Sequence, residues 1–276
     1  MKTFFCFLLA ASFGFCANSK EITYVGSTPA HPHIREFLHI PQTDSIDFIR
    51  WKLFINENTF RLNCEYGIGK PNTNGFINRK EINLLGSLKK ESSYYYLQNT
   101  TKTLALRQLN SNLLHILAAD KTFLVGNGGW SYVLNNTAPQ ATGQSNLISK
   151  PAMIKDSVEF QGRTPCQPLA DMLQLDKNSD CYKKKWFIVF YVDPVTGEPT
   201  RFLTEGIPRF RETMKAGTWK IIKGKDGKVV YQLQYPGKST FIYLLVADEN
   251  ILYFTDAEGK LLVGNEDFSY ALNRKK

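Results

Sequence analysis

Leu124-Val125-Gly126-Asn127-Gly128-Gly129-Trp130-Ser131-Tyr132-Val133-Leu134-Asn135 returns, without a gap, as Leu262-Val263-Gly264-Asn265-Glu266-Asp267-Phe268-Ser269-Tyr270-Ala271-Leu272-Asn273. Eight of the twelve positions are identical, and a ninth is aromatic in both copies, as Trp130 or Phe268. In each copy the second half alternates large apolar residues with smaller or polar ones: Phe268, Tyr270 and Leu272 against Ser269, Ala271 and Asn273. A period of two with one apolar face is the pattern of a half-buried strand. The chain therefore contains a duplication, and each copy closes on such a strand.

The match extends backwards from this stretch. Arg50-Trp51-Lys52 aligns with Lys185-Trp186-Phe187, and Tyr24-Val25-Gly26-Ser27-Thr28-Pro29-Ala30 with Phe160-Gln161-Gly162-Arg163-Thr164-Pro165-Cys166. One repeat thus runs over residues 24–135 and the other over 160–276, with 136–159 between them lacking a sustained apolar period and reading as a linker. A repeat of this length is a whole domain, since solenoid units recur every ~20–50 residues.

Within the second repeat, Val229, Tyr231, Leu233 and Tyr235 form another alternating run. Turn chemistry separates the strands at Asp193-Pro194-Val195-Thr196-Gly197, Pro236-Gly237-Lys238 and Ala257-Glu258-Gly259-Lys260. Phe and Tyr are abundant, which favours strands over helices. Strands at such spacing suggest a sandwich or an up-and-down barrel. The expectation is an all-β chain of two tandem antiparallel barrels, each with one short helix, near His33 to Ile40 and near Gln167 to Leu175.

The second repeat resembles the N-terminal domain of the NlpE family of envelope lipoproteins. The shared features are Phe160-x-Gly162-x-x-Pro165-Cys166, Gly217-Thr218-Trp219, the Leu252 to Gly259 hairpin and the closing aromatic-x-Tyr-x-Leu strand. The resemblance implies a small lipocalin-like barrel. It also implies copper-linked chemistry through a Cys-x-x-Cys pair, but here the second position is Leu169, and the first repeat offers Ala30 and His33. The fold expectation survives that departure and the copper expectation does not.

Met1-Lys2 followed by the apolar run Thr3 to Phe15 and the small residues Ala17-Asn18-Ser19 reads as a signal peptide over residues 1–19. Cys16 is a candidate for lipidation, although Phe15 before it is bulkier than a lipoprotein signal prefers. No later run approaches the ~20 apolar residues of a membrane helix. The expected location is exported: periplasmic, outer-membrane-associated or secreted. Without Lys2 the net charge is +8, and each repeat carries +4, so no domain is dedicated to a basic patch. Nucleic acid is not an expected partner. Association with an anionic membrane surface or polysaccharide is compatible with the charge. The Lys183-Lys184-Lys185 run reads as solvated.

Few residues point to chemistry. Cys166 and Cys181 lie fifteen residues apart on either side of the second helix and are a disulfide candidate, with free buried thiols or a thiolate metal site as alternatives. Cys64 is then unpaired, in a strand of the first repeat. His31-Pro32-His33 has two neighbouring imidazoles but no carboxylate or thiol beside them, and with His39 and His115 it reads as surface or core. Gly67-Ile68-Gly69-Lys70 lacks the spacer and hydroxyl of a phosphate loop and reads as a structural glycine loop. Asp248-Glu249 and Glu266-Asp267 read as carboxylates solvating a barrel rim. No nucleophile elbow is present.

No catalytic residue, metal site or cofactor is therefore expected. The leading expectation is a non-catalytic envelope protein binding a small ligand or a protein partner. Metal-linked stress sensing, or an enzyme acting on envelope lipid or polysaccharide, are the alternatives.

Overall fold

The computed structural model describes residues 21–141, 145–167, 169–172, 181–205, 215–224 and 226–275. The expected signal peptide, the lipidation candidate Cys16, and residues 168 and 173–175 of the expected second helix lie outside the described residues. Strands β1 (Ile22–Thr28), β2 (Phe48–Asn56), β3 (Thr59–Gly69), β4 (Phe76–Glu91), β5 (Tyr94–Gln98), β6 (Thr103–Asn110), β7 (Leu113–Ile116) and β8 (Val133–Asn136) pair in sequence order into a closed barrel. Strands β9 (Ser157–Thr164), β10 (Lys184–Val192), β11 (Pro199–Glu205), β12 (Lys215–Lys223), β13 (Val229–Gln234), β14 (Phe241–Val246), β15 (Ile251–Thr255) and β16 (Ala271–Arg274) close a second. The expected pair of tandem antiparallel barrels is what the chain forms.

Closure falls on the duplicated stretch. Asn135 and Asn136 of β8 pair with Val25 and Tyr24 of β1, and Asn273 of β16 pairs with Gln161 of β9. Each barrel adds a short helix after its first strand, α1 (Pro32–Phe37), shorter than the expected His33 to Ile40, and α2 (Leu169–Met172) within the expected second helix. His31 caps α1: its Nδ1 accepts the His33 N–H, and Pro32 follows at the first helical position, where a missing N–H costs nothing. That geometry accounts for His31-Pro32-His33 without a metal.

Side-chain alternation fills both interiors. Trp51, Leu53 and Ile55 of β2 point inward with Leu62, Leu97 and Leu134, and Trp186, Ile188 and Phe190 of β10 do so with Phe202, Leu233 and Phe254. An eight-stranded barrel is just wide enough for side chains to fill. The two indoles are satisfied identically, Trp51 Nε1 donating to Thr28 Oγ1 and Trp186 Nε1 to Thr164 Oγ1, both at 2.9 Å. Cys64 faces inward on β3, free and buried, and burial pushes its thiol well up. Gly67 and Gly69 prove to be strand residues at a register shift in the β3–β4 pair, not a loop.

The glycine shared by both opening motifs has a packing reason. A Cβ on Gly26 would stand 2.6 Å from the Val133 carbonyl oxygen, and one on Gly162 2.6 Å from that of Ala271. The first and last strands can approach closely enough to close each barrel only because no side chain intervenes. Gly26→Ala or Gly162→Ala is expected to lower stability by about 1–3 kcal/mol through overpacking. Urea unfolding checks this, with Gly75→Ala, where a Cβ would meet only Thr73 Oγ1 at an ordinary 3.5 Å, as a control for loss of glycine itself.

Candidate functional site

Three residues identical in the two repeats, Gly126/Gly264, Ser131/Ser269 and Asn135/Asn273, bond one barrel to the other. Asn135 Oδ1 accepts the Gly264 N–H at 2.8 Å, and its equivalent Asn273 accepts the Gly126 N–H at 2.7 Å. The hydroxyls of the equivalent residues Ser131 and Ser269 bond to each other. His115 and Tyr253, also equivalent, meet with Tyr253 Oη 2.7 Å from His115 Nδ1. Each contact is repeated with the roles exchanged, or joins a residue to its own counterpart. This is the signature of an isologous, two-fold interface, here built within one chain.

Apolar residues complete the seam. Leu109, Leu113 and Val133 of the first barrel pack in one cluster with Ala247, Ile251, Tyr253 and Ala271 of the second. Leu147, from the segment between the repeats, is buried in the same cluster. That segment is pinned to both barrels: the Asn146 N–H donates to the Leu109 carbonyl, and the Lys150 N–H to that of Ala247. It reads as a linker by composition and acts as a third layer of the seam.

The remaining identities follow. Tyr132, Leu134, Tyr270 and Leu272 face their own cores, while Asn127 and Asn265 turn the chain by accepting N–H groups two and three residues ahead. Gly126 and Gly264 are glycine because a Cβ would fall 2.2 Å from the carbonyl of Trp130 or Phe268.

Two grooves flank the seam, related by the same internal symmetry. The wider, of about 700 Å³, lies between the outer faces of β2, β3 and β4 and the loop Val263–Glu266 of the second barrel. Its walls carry Lys52, Asn63, Glu65, Glu81, Asn83 and Asn265. Its counterpart, of about 390 Å³, runs between Asn127–Gly129 and Gln161–Arg163. The difference has a local cause. Gln161 lies over Gly128, close enough that a Cβ there would meet its Cδ at 2.5 Å, whereas the equivalent residue beside the wide groove is the shorter Val25.

Arg50 anchors the wide groove. It meets Asp267 Oδ1 of the second barrel at 2.7 Å, Glu65 at 3.7 Å and the Asn74 carbonyl, while Asn74 Nδ2 donates to Asp267 Oδ2 at 2.7 Å. Its guanidinium lies 5.4 Å from the Phe76 ring, the end of a stack in which Phe48 lies 4.2 Å from Phe76 and 4.5 Å from Trp130. Arg79 reaches both Glu65 (3.0 Å) and Glu81 (2.9 Å), so the groove's adjacent carboxylates are held by one cation.

No family model, no curated protein and no solved structure matches this chain.

The residues singled out from the sequence are scattered rather than convergent. Cys166 and Cys181 stand at disulfide distance, their Cα atoms 5.8 Å apart. Among the described residues, no three His, Cys, Asp or Glu side chains come together as a metal set. No described helix is long and apolar enough to cross a membrane. Asp267 corrects the reading of Glu266-Asp267 as rim carboxylates, because it ties one barrel to the other. Asp248 accepts the Asn250 N–H, and burial raises its carboxyl. Lys184 is also corrected: it is 6 % exposed and faces the barrel interior. Period two counted from Trp186 was the available signal, since it puts Lys184 on the core side and its two lysine neighbours outside.

His115 makes the seam sensitive to acid. Nε2 lies 2.9 Å from the Leu124 carbonyl oxygen and so carries the proton, leaving Nδ1 to accept from Tyr253. Burial pushes its pKa down from 6.5 to about 4. Below pH 6.5 the unfolded chain takes a proton that the native seam refuses until about pH 4, so stability is full above 6.5 and is lost between those values. The loss is ~3 kcal/mol. Urea midpoints measured from pH 7 to 4 are expected to fall more steeply for the native chain than for His115→Gln, which titrates nothing in that range.

Proposed function

We propose that this chain is a non-catalytic, exported envelope protein that binds a small ligand or a partner protein in the wide groove beside the seam. One observation carries the reading: a concavity of about 700 Å³, walled by both repeats and lined by amides and charged groups, whose Arg50 is held across the seam by Asp267. Ligand sites are mostly of about 300–1,000 Å³ and pre-formed, with a few fixed polar groups giving orientation. The barrel interiors, by contrast, are occupied by their own side chains.

The arrangement of polar groups favours binding over catalysis. Glu65 and Glu81 oppose each other across β3 and β4, and Arg79 engages an oxygen of each. Export rests on the residues 1–19 pattern, and kinship with NlpE-like domains is part of the proposal at the level of fold only. The mild positive charge fits an anionic envelope surface as the setting.

Native mass spectrometry of mature protein purified from its own envelope tests the reading. A reproducible bound mass, small molecule or protein, is expected, and Asn63→Trp, which fills the groove from β3, is expected to remove it. A bare mass in the native chain, or a bound mass indifferent to Asn63→Trp, contradicts the assignment.

A further inference from the structure

At the narrow groove the internal symmetry is broken in charge. In the wide groove the second barrel presents Glu266-Asp267 to the first, and the strand residues that meet them are satisfied. Arg50 pairs with the Asp267 carboxylate, and the Ser27 hydroxyl donates to the Glu266 carbonyl at 2.8 Å. A guanidinium and a carboxamide hold that carboxylate between them, since Asn74 Nδ2 donates to its other oxygen. At the equivalent place in the narrow groove the acidic pair is Gly128-Gly129, while Val25 and Ser27 are exchanged for Gln161 and Arg163. A carboxamide and a guanidinium stand here too, and the residues lining the groove include no carboxylate.

Gln161 and Arg163 are two apart on β9 and so share its outer face. Both lie over the two glycines. A Cβ on Gly128 would meet Gln161 Cδ at 2.5 Å, and one on Gly129 would stand 3.6 Å from Arg163 Nη1. A side chain at residue 129 would therefore emerge beside the guanidinium, where the equivalent Asp267 carries its carboxylate. Among the described residues, neither Arg163 nor the Gln161 carboxamide has a side-chain hydrogen bond or an ionic partner. Arg163 lies over the Trp130 ring, 5.5 Å from its centre, and Trp130 is only half-buried. A guanidinium over a ring keeps its in-plane N–H donors, whose fork matches the two oxygens of a carboxylate. Burial lowers the Arg163 pKa, the mark of a cation that has lost part of its hydration. Lys185, the equivalent of Arg50, lines the same groove but is engaged in an interaction of its own. Phe187, half-buried on the outer face of β10, adds apolar surface.

We propose that the narrow groove binds the carboxylate of a small organic acid, which takes between Arg163 and Gln161 the place that the Asp267 side chain holds in the related groove. A volume of about 390 Å³, at the lower end for ligand pockets, sets the size of the acid. The groove shares no lining residue with the wide one, so the two assignments fail separately.

Calorimetric titration of the full mature chain tests the site, with benzoate as the probe, benzyl alcohol as its uncharged match and inorganic phosphate as a bare anion. Benzoate is expected to bind saturably, and benzyl alcohol and phosphate at least about tenfold more weakly. Arg163→Ser, which places the first repeat's residue in the second, is expected to weaken benzoate by about 10- to 100-fold, the worth of hydrogen bonds to a charged group. Gln161→Val, again the first repeat's residue, is expected to cost less, roughly fivefold. Gly129→Asp leaves Arg163 in place but supplies a carboxylate from within the chain, as Asp267 does for Arg50, and is expected to exclude benzoate. Asn63→Trp, which fills the other groove, is expected to leave benzoate bound. Failure of benzoate to bind the native chain, or binding undiminished in both Arg163→Ser and Gly129→Asp, overturns the proposal. Loss of benzoate in Asn63→Trp places the acid in the wide groove and overturns it equally. Phosphate binding as tightly as benzoate overturns the carboxylate assignment.

Discussion

Two carboxamide oxygens hold this molecule in its working shape. Asn135 and Asn273 each reach out of the strand that closes their own barrel and accept a backbone N–H at the neck of the other. A buried N–H left without a partner costs ~1–3 kcal/mol, and here neither repeat can satisfy its own. Each barrel therefore depends on the other for a bond it cannot make alone. The Ser131–Ser269 contact, the His115–Tyr253 bond and the apolar cluster around Leu113, Ile251 and Leu147 are arranged about the same internal axis. The duplication is thus more than two copies of a fold in series. It has the form of a symmetric dimer carried in one chain, and Gly126, Ser131 and Asn135 recur as Gly264, Ser269 and Asn273 on the two sides of the contact.

Symmetry that is nearly kept makes its breaches informative. Replacing Val25 by the longer Gln161 at the equivalent place narrows one of two related grooves and leaves the other open. Replacing Ile49 by Lys184 sets an ammonium among the buried side chains of the second barrel. Both breaches leave the seam intact, and the wide groove lies where the copies diverged.

The fold was legible because barrel strands are written locally. Alternation at Trp51-Leu53-Ile55 and Phe268-Tyr270-Leu272, with turn residues between strands, specifies one buried face wherever it occurs. The seam was not legible, because Ser131 and Asp267, in the segments leading into the closing strands, and Asn135, at a polar position of β8, look like solvent-facing residues. Only the placement of the second barrel turns them into contacts, and no period in the sequence encodes that. The segment 136–159 misled for the same reason: Leu147 and its exposed neighbour Ile148 make no period, and Leu147 is buried by two surfaces far away in sequence. Lys184 was hidden differently. Its neighbours Lys183 and Lys185 made a run that reads as solvated, although the parity set by Trp186 already placed the middle lysine inside. The wide groove, assembled from residues 50–83 and 263–266, is a product of docking and has no signature in either repeat.

The central claim is that the two repeats are one cooperative body joined at the seam, and differential scanning calorimetry tests it most directly. For the full mature chain the account predicts a single transition whose calorimetric and van't Hoff enthalpies agree, and its splitting into two in an Asn135→Ala, Asn273→Ala double variant. Two separate transitions in the native chain, or a single unaltered one in the double variant, would contradict it.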